Sequence, residues 1–480
     1  MANLTGTARL RDERAFPTIV MSITTGWQAR SWLRSAVLEE LKATGSTIVL
    51  LTTNSDEAEF TKEFGTDRVL VRPLTRESSR WVYLLQRLHL YLFETMFPTS
   101  TSAVKRQRLR RSQFLRYLVS LWIRGSVGRA LFRLWRSVDR ALTPTGHHAP
   151  VFEEFDPDLV VVSTLGREEA DVSLIRLARK RGVRTLAVLR GWDNLTTKEY
   201  VREEVDKLVV WNSNNKSEAV ELHGFSPTDV YVAGVSDFDV YASVPYESRL
   251  ELFEQHGLDP ERRLLLLSGQ DGRVCPEMGD IVSIIADAIS EDRFLAKAQL
   301  LVRPHPNVYS GATPGPGTEA DLRHFEELSP HVHGDRPEIV SDRLKTDMST
   351  MEMRHLADTL YYTDVLLDFF GTLTLEASIV DTPVIYVAFD GYKKRPYHDS
   401  VRRWGDHTHN RRIVDAGATR LALDATGLVE HINAYLTDPS LERLQRRRIV
   451  ADNCYRADGL SSSRLASCIA GFANNRWPDE

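Results

Sequence analysis

Arg303-Pro304-His305-Pro306-Asn307 follows directly on the apolar run 299–302. The prolines flanking His305 restrict the backbone, so the imidazole is held at a strand end, where it can donate to a phosphate oxygen while Arg303 adds charge. The plainer alternative is a turn histidine that satisfies a backbone carbonyl. A second segment, Asp368-Phe369-Phe370-Gly371-Thr372-Leu373-Thr374-Leu375-Glu376-Ala377, reads as a buried strand, a Gly/Thr turn and the start of a helix. Backbone N–H groups at Gly371 and the hydroxyls of Thr372 and Thr374 suit a diphosphate, and Glu376 suits the hydroxyls of a ribose. Ordinary helix capping by either threonine is the competing reading.

The third segment is Arg190-Gly191-Trp192-Asp193-Asn194-Leu195-Thr196-Thr197-Lys198, again after an apolar run. Asp193 is the candidate general base for an acceptor hydroxyl, and Arg190 or Lys198 would hold phosphate or carboxylate. Turn residues at 193–194 and a tryptophan core plug would explain the same letters. Ser268-Gly269-Gln270-Asp271-Gly272-Arg273, and Gly234 with Asp237 and Asp239, are weaker signals that turn chemistry accounts for. Neither a G-x-G-x-x-G fingerprint with a downstream acid nor a G-x-x-x-x-G-K-[ST] loop is apparent, which counts against nicotinamide dinucleotide and ATPase readings.

These segments must be carried by alternating strands and helices. Short apolar, β-branched runs at 18–23, 46–52, 68–71, 158–163, 185–189, 207–211 and 230–233 are interleaved with helical patterns, including 27–41 and 168–181. A second series runs through 264–267, 299–302, 365–368 and 384–388. Such alternation predicts parallel sheets with right-handed crossovers, hence two doubly wound α/β domains. The boundary is expected between residues 240 and 260, and the stretch 309–348, with its glycines and prolines, is expected to be a long loop.

The rhythm breaks between about 78 and 150, where a helical insertion is expected. From 105 to 140 it carries eleven Lys or Arg against one acid, Asp139, interleaved with Phe114, Tyr117, Trp122, Phe132 and Trp135. A basic amphipathic segment of this kind can lie against anionic lipid, or it can pack on the sheet with its arginines in water.

At 480 residues, 42% apolar and 26% charged, the chain is expected to fold as two or three soluble domains. Its 61 basic and 66 acidic residues give a net charge of −5, no signature of a nucleic-acid partner. Cys275, Cys454 and Cys468 form no CxxC pair, so neither a disulfide framework nor a zinc site is expected. No carboxylate cluster suggests Mg²⁺. The polar leader 1–15 has no apolar core, and arginines interrupt the apolar segments short of the ~20 residues of a membrane span. The expected location is cytoplasmic, peripheral at the inner face of the plasma membrane.

The order of these motifs from about 156 to 470 resembles the GT-B superfamily, and within it the CDP-glycerol glycerophosphotransferase-like branch and related surface-polysaccharide glycosyltransferases. Arg190-Gly191 with Lys198 look like the family's His-Gly turn with its following lysine, Gly234 to Asp239 like its junction element, and His305-Pro306 and 368–374 like its donor motifs. Two departures stand out. Arg190 replaces the histidine, and Phe369-Phe370-Gly371-Thr372 replaces a Ser-Ser pair.

The resemblance implies two Rossmann-like domains facing a cleft: an acceptor domain at 16–245 and a nucleotide-donor domain at 260–440. C-terminal helices at 441–480 would cross back to the first domain. It further implies transfer of a sugar from a UDP- or CDP-linked donor to a cell-envelope glycan or lipid-linked acceptor, without metal or other cofactor. With the family's histidine replaced by Arg190 no base carries over, and Asp193, read from its own segment, stands with His305 as the expected catalytic residues. Polyol-phosphate transfer, nucleotide-sugar 2-epimerisation and a non-catalytic scaffold are the alternatives on the same fold.

Overall fold

The computed structural model describes residues 15–75, 83–84, 86–88, 90–91, 97, 99–122, 126–142, 145–198, 201–341 and 343–478. Residues 1–14 of the leader and 76–82 at the start of the insertion lie outside the described residues. The chain divides into two compact units, 1–236 with 460–480, and 237–459.

The first unit is built on β1 (Thr18–Ile23), β2 (Thr47–Thr52), β3 (Val69–Pro73), β4 (Leu159–Val162), β5 (Arg184–Val188), β6 (Lys207–Val210) and β7 (Val230–Val232). All pair in parallel in the order β3-β2-β1-β4-β5-β6-β7. Strands buried on both faces are largely apolar runs: LVVV and TIVMSI are buried at every position, and the polar Ser22 of the second is met by Asp171. The second unit pairs β8 (Arg263–Ser268), β9 (Ala298–Arg303), β10 (Val332–Gly334), β11 (Val365–Asp368), β12 (Val384–Val387) and β13 (Arg420–Ala422) in the order β10-β9-β8-β11-β12-β13. In each sheet the strand order reverses beside the first strand, and the crevice at the carboxyl ends there is where such sheets take ligands.

Several expectations are corrected. The helix expected over 27–41 is a short turn Gly26–Gln28, a π-turn Ala29–Leu33 and a helix Ala36–Ala43 that Ser35 caps through Val37 N–H. The loop expected over 309–348 contains the helix Glu319–Leu328 and β10. Thr318 and Asp321 form a capping box there, and Leu322 and Phe325, one turn apart, are buried. The division between units falls at Ser236, earlier than the expected 240–260. Of the C-terminal helices, Arg443–Cys454 lies in the second unit and Ser461–Ala473 in the first. Arg184 holds the end of that last helix by donating to Phe472 O at 2.7 Å and Ala473 O at 2.8 Å. Gly234, at φ +88°, passes so close to the same helix that a Cβ would lie 2.5 Å from Ser461 Oγ.

The described part of the insertion forms helices Ser100–Ser112, Phe114–Trp122 and Ser126–Leu142. Its one acid anchors it. Asp139 is fully buried and accepts from Arg202 at 2.6 and 2.7 Å and from Arg176 at 2.6 Å; the two arginines also bind Glu169 and Glu203, respectively. Burial alone would raise Asp139, but the two guanidiniums outweigh it and hold the carboxyl down at about 2. The insertion is therefore packed on the first unit, yet Phe114, Leu115 and Leu134 stay 57%, 78% and 63% exposed.

Candidate functional site

In the second unit three neighbouring strands, β9, β8 and β11, end together, and the loops beyond them meet. Gly269 N–H donates to Arg303 O at 2.7 Å, and a Cβ on Gly269 would lie 2.8 Å from Pro304 Cα, so only glycine allows this approach. On the other side, a Cβ on Gly371 would lie 2.3 Å from Gln270 Nε2. The loop 268–273, which turn chemistry alone explained in the sequence, is thus wedged between the two donor motifs.

His305 is half-buried at the head of the short turn Pro306–Tyr309, and its Nδ1 accepts from Asn307 N–H at 3.1 Å. That bond places the proton of neutral imidazole on Nε2, the form that donates to an anion. Asp271, which attracts His305, is held below the usual carboxylate range by the hydrogen bonds of Arg273. Gly371 follows Phe370, which sits at φ +62°, a left-handed conformation costly for a bulky residue; its ring stacks on Tyr386 at 4.4 Å. Thr372 is exposed and its hydroxyl makes no capping bond, so it faces outward. Glu376 is half-buried, and its Oε2 accepts from Tyr241 at 2.5 Å.

Two expected donor residues are placed otherwise. Arg303 is 4% exposed, its guanidinium donating to Asp335 at 2.5 Å and to Glu352, so its charge is matched inside the fold and not offered to a phosphate. Thr374 is fully buried and donates to Asp368 Oδ2 at 2.7 Å. Asp368 also accepts from Phe369 N–H at 2.9 Å and Gly371 N–H at 2.8 Å, so it shapes the Gly371 turn from beneath. Burial raises its carboxyl even against these donors.

Within the first unit, Arg190, Gly191, Asp193 and Lys198 follow β5, with Asn194–Lys198 wound as a π-turn. Asp193 is 7% exposed and paired with Lys198 at 2.8 Å. As a base it must first part from that ammonium. Arg190 lies 3.8 Å from Glu168. Helix Ser100–Ser112 supports the turn, Lys105 donating to Thr197 O at 2.8 Å. Asp171 carries no local signal in the letters around it. It is fully buried where β1 and β4 end, accepts from Ser22 Oγ and from Thr164 N–H and Oγ at 3.0 and 2.9 Å, and is pushed up to about 7 by burial.

A second group missed in the sequence is the loop after β12. Lys393 and Arg395 there both pair with Glu277, and Lys393 is 61% exposed. The signal that could have found it is the run Lys393-Lys394-Arg395 a few residues beyond a strand end.

No protein-family model matches the chain, and neither does the sequence of any curated protein. Solved structures do. A protein from Listeria monocytogenes, provisionally named UDP-N-acetylglucosamine 2-epimerase, superposes with a TM-score of 0.56 at 12% identity over 97% of this chain and 99% of its own. The UDP-GlcNAc 2-epimerase of Neisseria meningitidis, bound to UDP-GlcNAc, gives 0.55 at 11% identity over 94% and 98%. The UDP co-structure of MnaA from S. aureus gives 0.54 at 14% identity over 97% and 100%. At such identities the likeness is one of fold. The chain has the GT-B fold, two Rossmann-like α/β domains on parallel sheets, and among the described residues no helix is long and apolar enough to cross a membrane.

Proposed function

We propose that the chain is an enzyme acting on a nucleotide-activated sugar, whose nucleotide lies at the carboxyl edge of β9, β8 and β11. The observation that carries this reading is the meeting of His305, the Gly269–Gln270 loop and the Gly371–Thr372 turn at that edge, with Gly269 so close to the Pro304 backbone that a side chain is excluded. His305 Nε2–H and the Thr372 hydroxyl are the donors for the diphosphate, Gly371 leaves the turn without a side chain beside them, and Glu376, braced by Tyr241, accepts from the ribose. Asp368 and Thr374 hold the turn and do not touch the ligand.

A UDP-linked sugar is the first candidate, because UDP and UDP-GlcNAc are bound in the S. aureus and N. meningitidis structures of the same fold. For the reaction we place 2-epimerisation first, since the structures similar at TM-scores of 0.55 and 0.56 are named as such epimerases. Sugar transfer is the second reading. It rests on the exposed apolar residues Phe114, Leu115 and Leu134 among the arginines of the insertion, a surface suited to a lipid-linked acceptor at an anionic membrane. Polyol-phosphate transfer, as in the CDP-glycerol branch, has no observation in its favour.

Incubation with UDP-GlcNAc, followed by NMR, separates these. Conversion to the 2-epimer without acceptor supports epimerisation, and UDP release only on adding lipid-linked acceptor supports transfer. Neither product, together with no binding of UDP, overturns the proposal.

A further inference from the structure

A second cluster lies on the second unit, beyond the end of β10, and is built from residues far apart in sequence. His256 ends the helix Arg249–His256, Asp335 follows β10, and His355 lies within the helix Thr350–Tyr362. Their ligand atoms all fall within 4.8 Å of one another. His256 Nε2 is 3.2 Å from His355 Nε2, which is 3.5 Å from Asp335 Oδ1.

We propose that His256, Asp335 and His355 bind a first-row divalent cation, for which zinc is the natural probe. The separations are the first argument. A tetrahedral ion with bonds of about 2.0–2.1 Å sets its ligand atoms about 3.3–3.4 Å apart. The 3.5 Å contact, by contrast, is longer than a good hydrogen bond between imidazole and carboxylate. Two imidazoles and one carboxylate form a donor set for a borderline cation and not for Mg²⁺ or Ca²⁺.

The surroundings supply the rest of a metal site. Asp335 is 1% exposed, and Arg303 binds its Oδ2 at 2.5 Å, which leaves Oδ1 turned to the histidines. Glu247 Oε1 stands 3.8 Å from His355 Nδ1, the position of the outer carboxylate that orients a ligating histidine. Around the cluster Asp335 and Glu352 pair with the guanidinium of Arg303 and Glu247 stands beside His355, so a divalent ion brings three carboxylates and one guanidinium to neutrality. Both histidines are half-buried, within reach of a water as the fourth ligand.

Such an ion ties two helices to the end of β10. It also fixes Asp335, the partner of Arg303, which immediately precedes Pro304-His305. Its role is structural, and it stands independently of the nucleotide reading. A site of this kind escapes a search for CxxC or HExxH spacing, because its ligands come from three separate elements.

The test uses the full chain, stripped with chelator, desalted, exposed to Zn²⁺ and desalted again. About one zinc per chain is retained and the melting temperature rises, because the ion binds the native state. His256→Ala and His355→Ala each abolish both effects. Glu247→Gln weakens zinc affinity about 10- to 100-fold, and His324→Ala, exposed on another helix, changes nothing. Should the histidine variants not fold, Co²⁺ added to the stripped wild type must give the visible absorption of a nitrogen- and oxygen-ligated ion. Wild type that neither retains Zn²⁺ nor responds to it in melting temperature overturns the proposal. So does retention that survives both histidine substitutions together.

Discussion

The two sheets meet the same problem at the point where their strand order reverses and then diverge. In the first unit, Asp171 sits between β1 and β4 and accepts from Ser22, at the end of β1, and from Thr164. In the second, Asp368 sits between β8 and β11, close to Ser268 at the end of β8, and accepts from Thr374. Each is a fully buried carboxylate satisfied by hydroxyls and backbone N–H groups, a latch across the crevice. What lies above the latch differs. Over Asp368 the backbone is thinned by Gly269 and Gly371 and flanked by His305 and Thr372; beyond β5, next to the Asp171 latch, a π-turn closed by the Asp193–Lys198 pair fills the edge. The buried acid is thus shared architecture, and the glycine approaches distinguish the edge at which we propose the nucleotide binds.

Breaking this comparison at its strongest point, Gly269→Ala should have the largest effect. The added methyl meets backbone at 2.8 Å, so the loop must move. A loss of roughly 2–4 kcal/mol in denaturant unfolding, together with loss of nucleotide binding, is expected. Asp368→Ala strands the Thr374 hydroxyl and two backbone N–H groups and should cost about 2–3 kcal/mol, whereas His305→Ala should leave unfolding within about 1 kcal/mol while abolishing the UDP response.

Asp171 gives a signed pH effect. Its folded pKa of about 7 lies above the unfolded value near 3.9, so the folded state holds the proton more tightly. Its contribution to stability is full below about pH 4, declines as pH rises toward 7, and is flat beyond. Asp171→Asn can still accept from Thr164 and donate to Ser22. It should therefore melt at higher temperature than wild type at pH 8, with the advantage vanishing by pH 4. The smallest effect is expected from Thr372→Ala, a few-fold loss of UDP affinity with unchanged stability, since the hydroxyl is exposed and makes no capping bond.

Eleven of the described strands, the three-residue β7 among them, were legible because a strand buried on both faces writes a largely apolar run. β10 and β13, three residues each with His333 and Arg420 within them, write none. Within the candidate site, His305, Gly371, Thr372 and Glu376 could be read from type and position at a strand end. The placement of Arg303 could not. Its partners Asp335 and Glu352 lie 32 and 49 residues away, and nothing local distinguishes an arginine that faces a phosphate from one that faces two buried acids. The role of Thr374 is illegible for a related reason, as a hydroxyl six residues beyond Asp368 returns to it only once the turn is folded. Asp139 read as the one acid of a basic helix and proved to be its anchor.

The central claim is that nucleotide binds at the carboxyl edge of β9, β8 and β11, and calorimetric titration of UDP into wild type, His305→Ala and Glu376→Gln tests it most directly. The account predicts saturable binding to wild type, lost in His305→Ala and weakened in Glu376→Gln, with all three proteins melting at similar temperatures without ligand. Equal UDP affinity in all three would contradict it and place the nucleotide elsewhere.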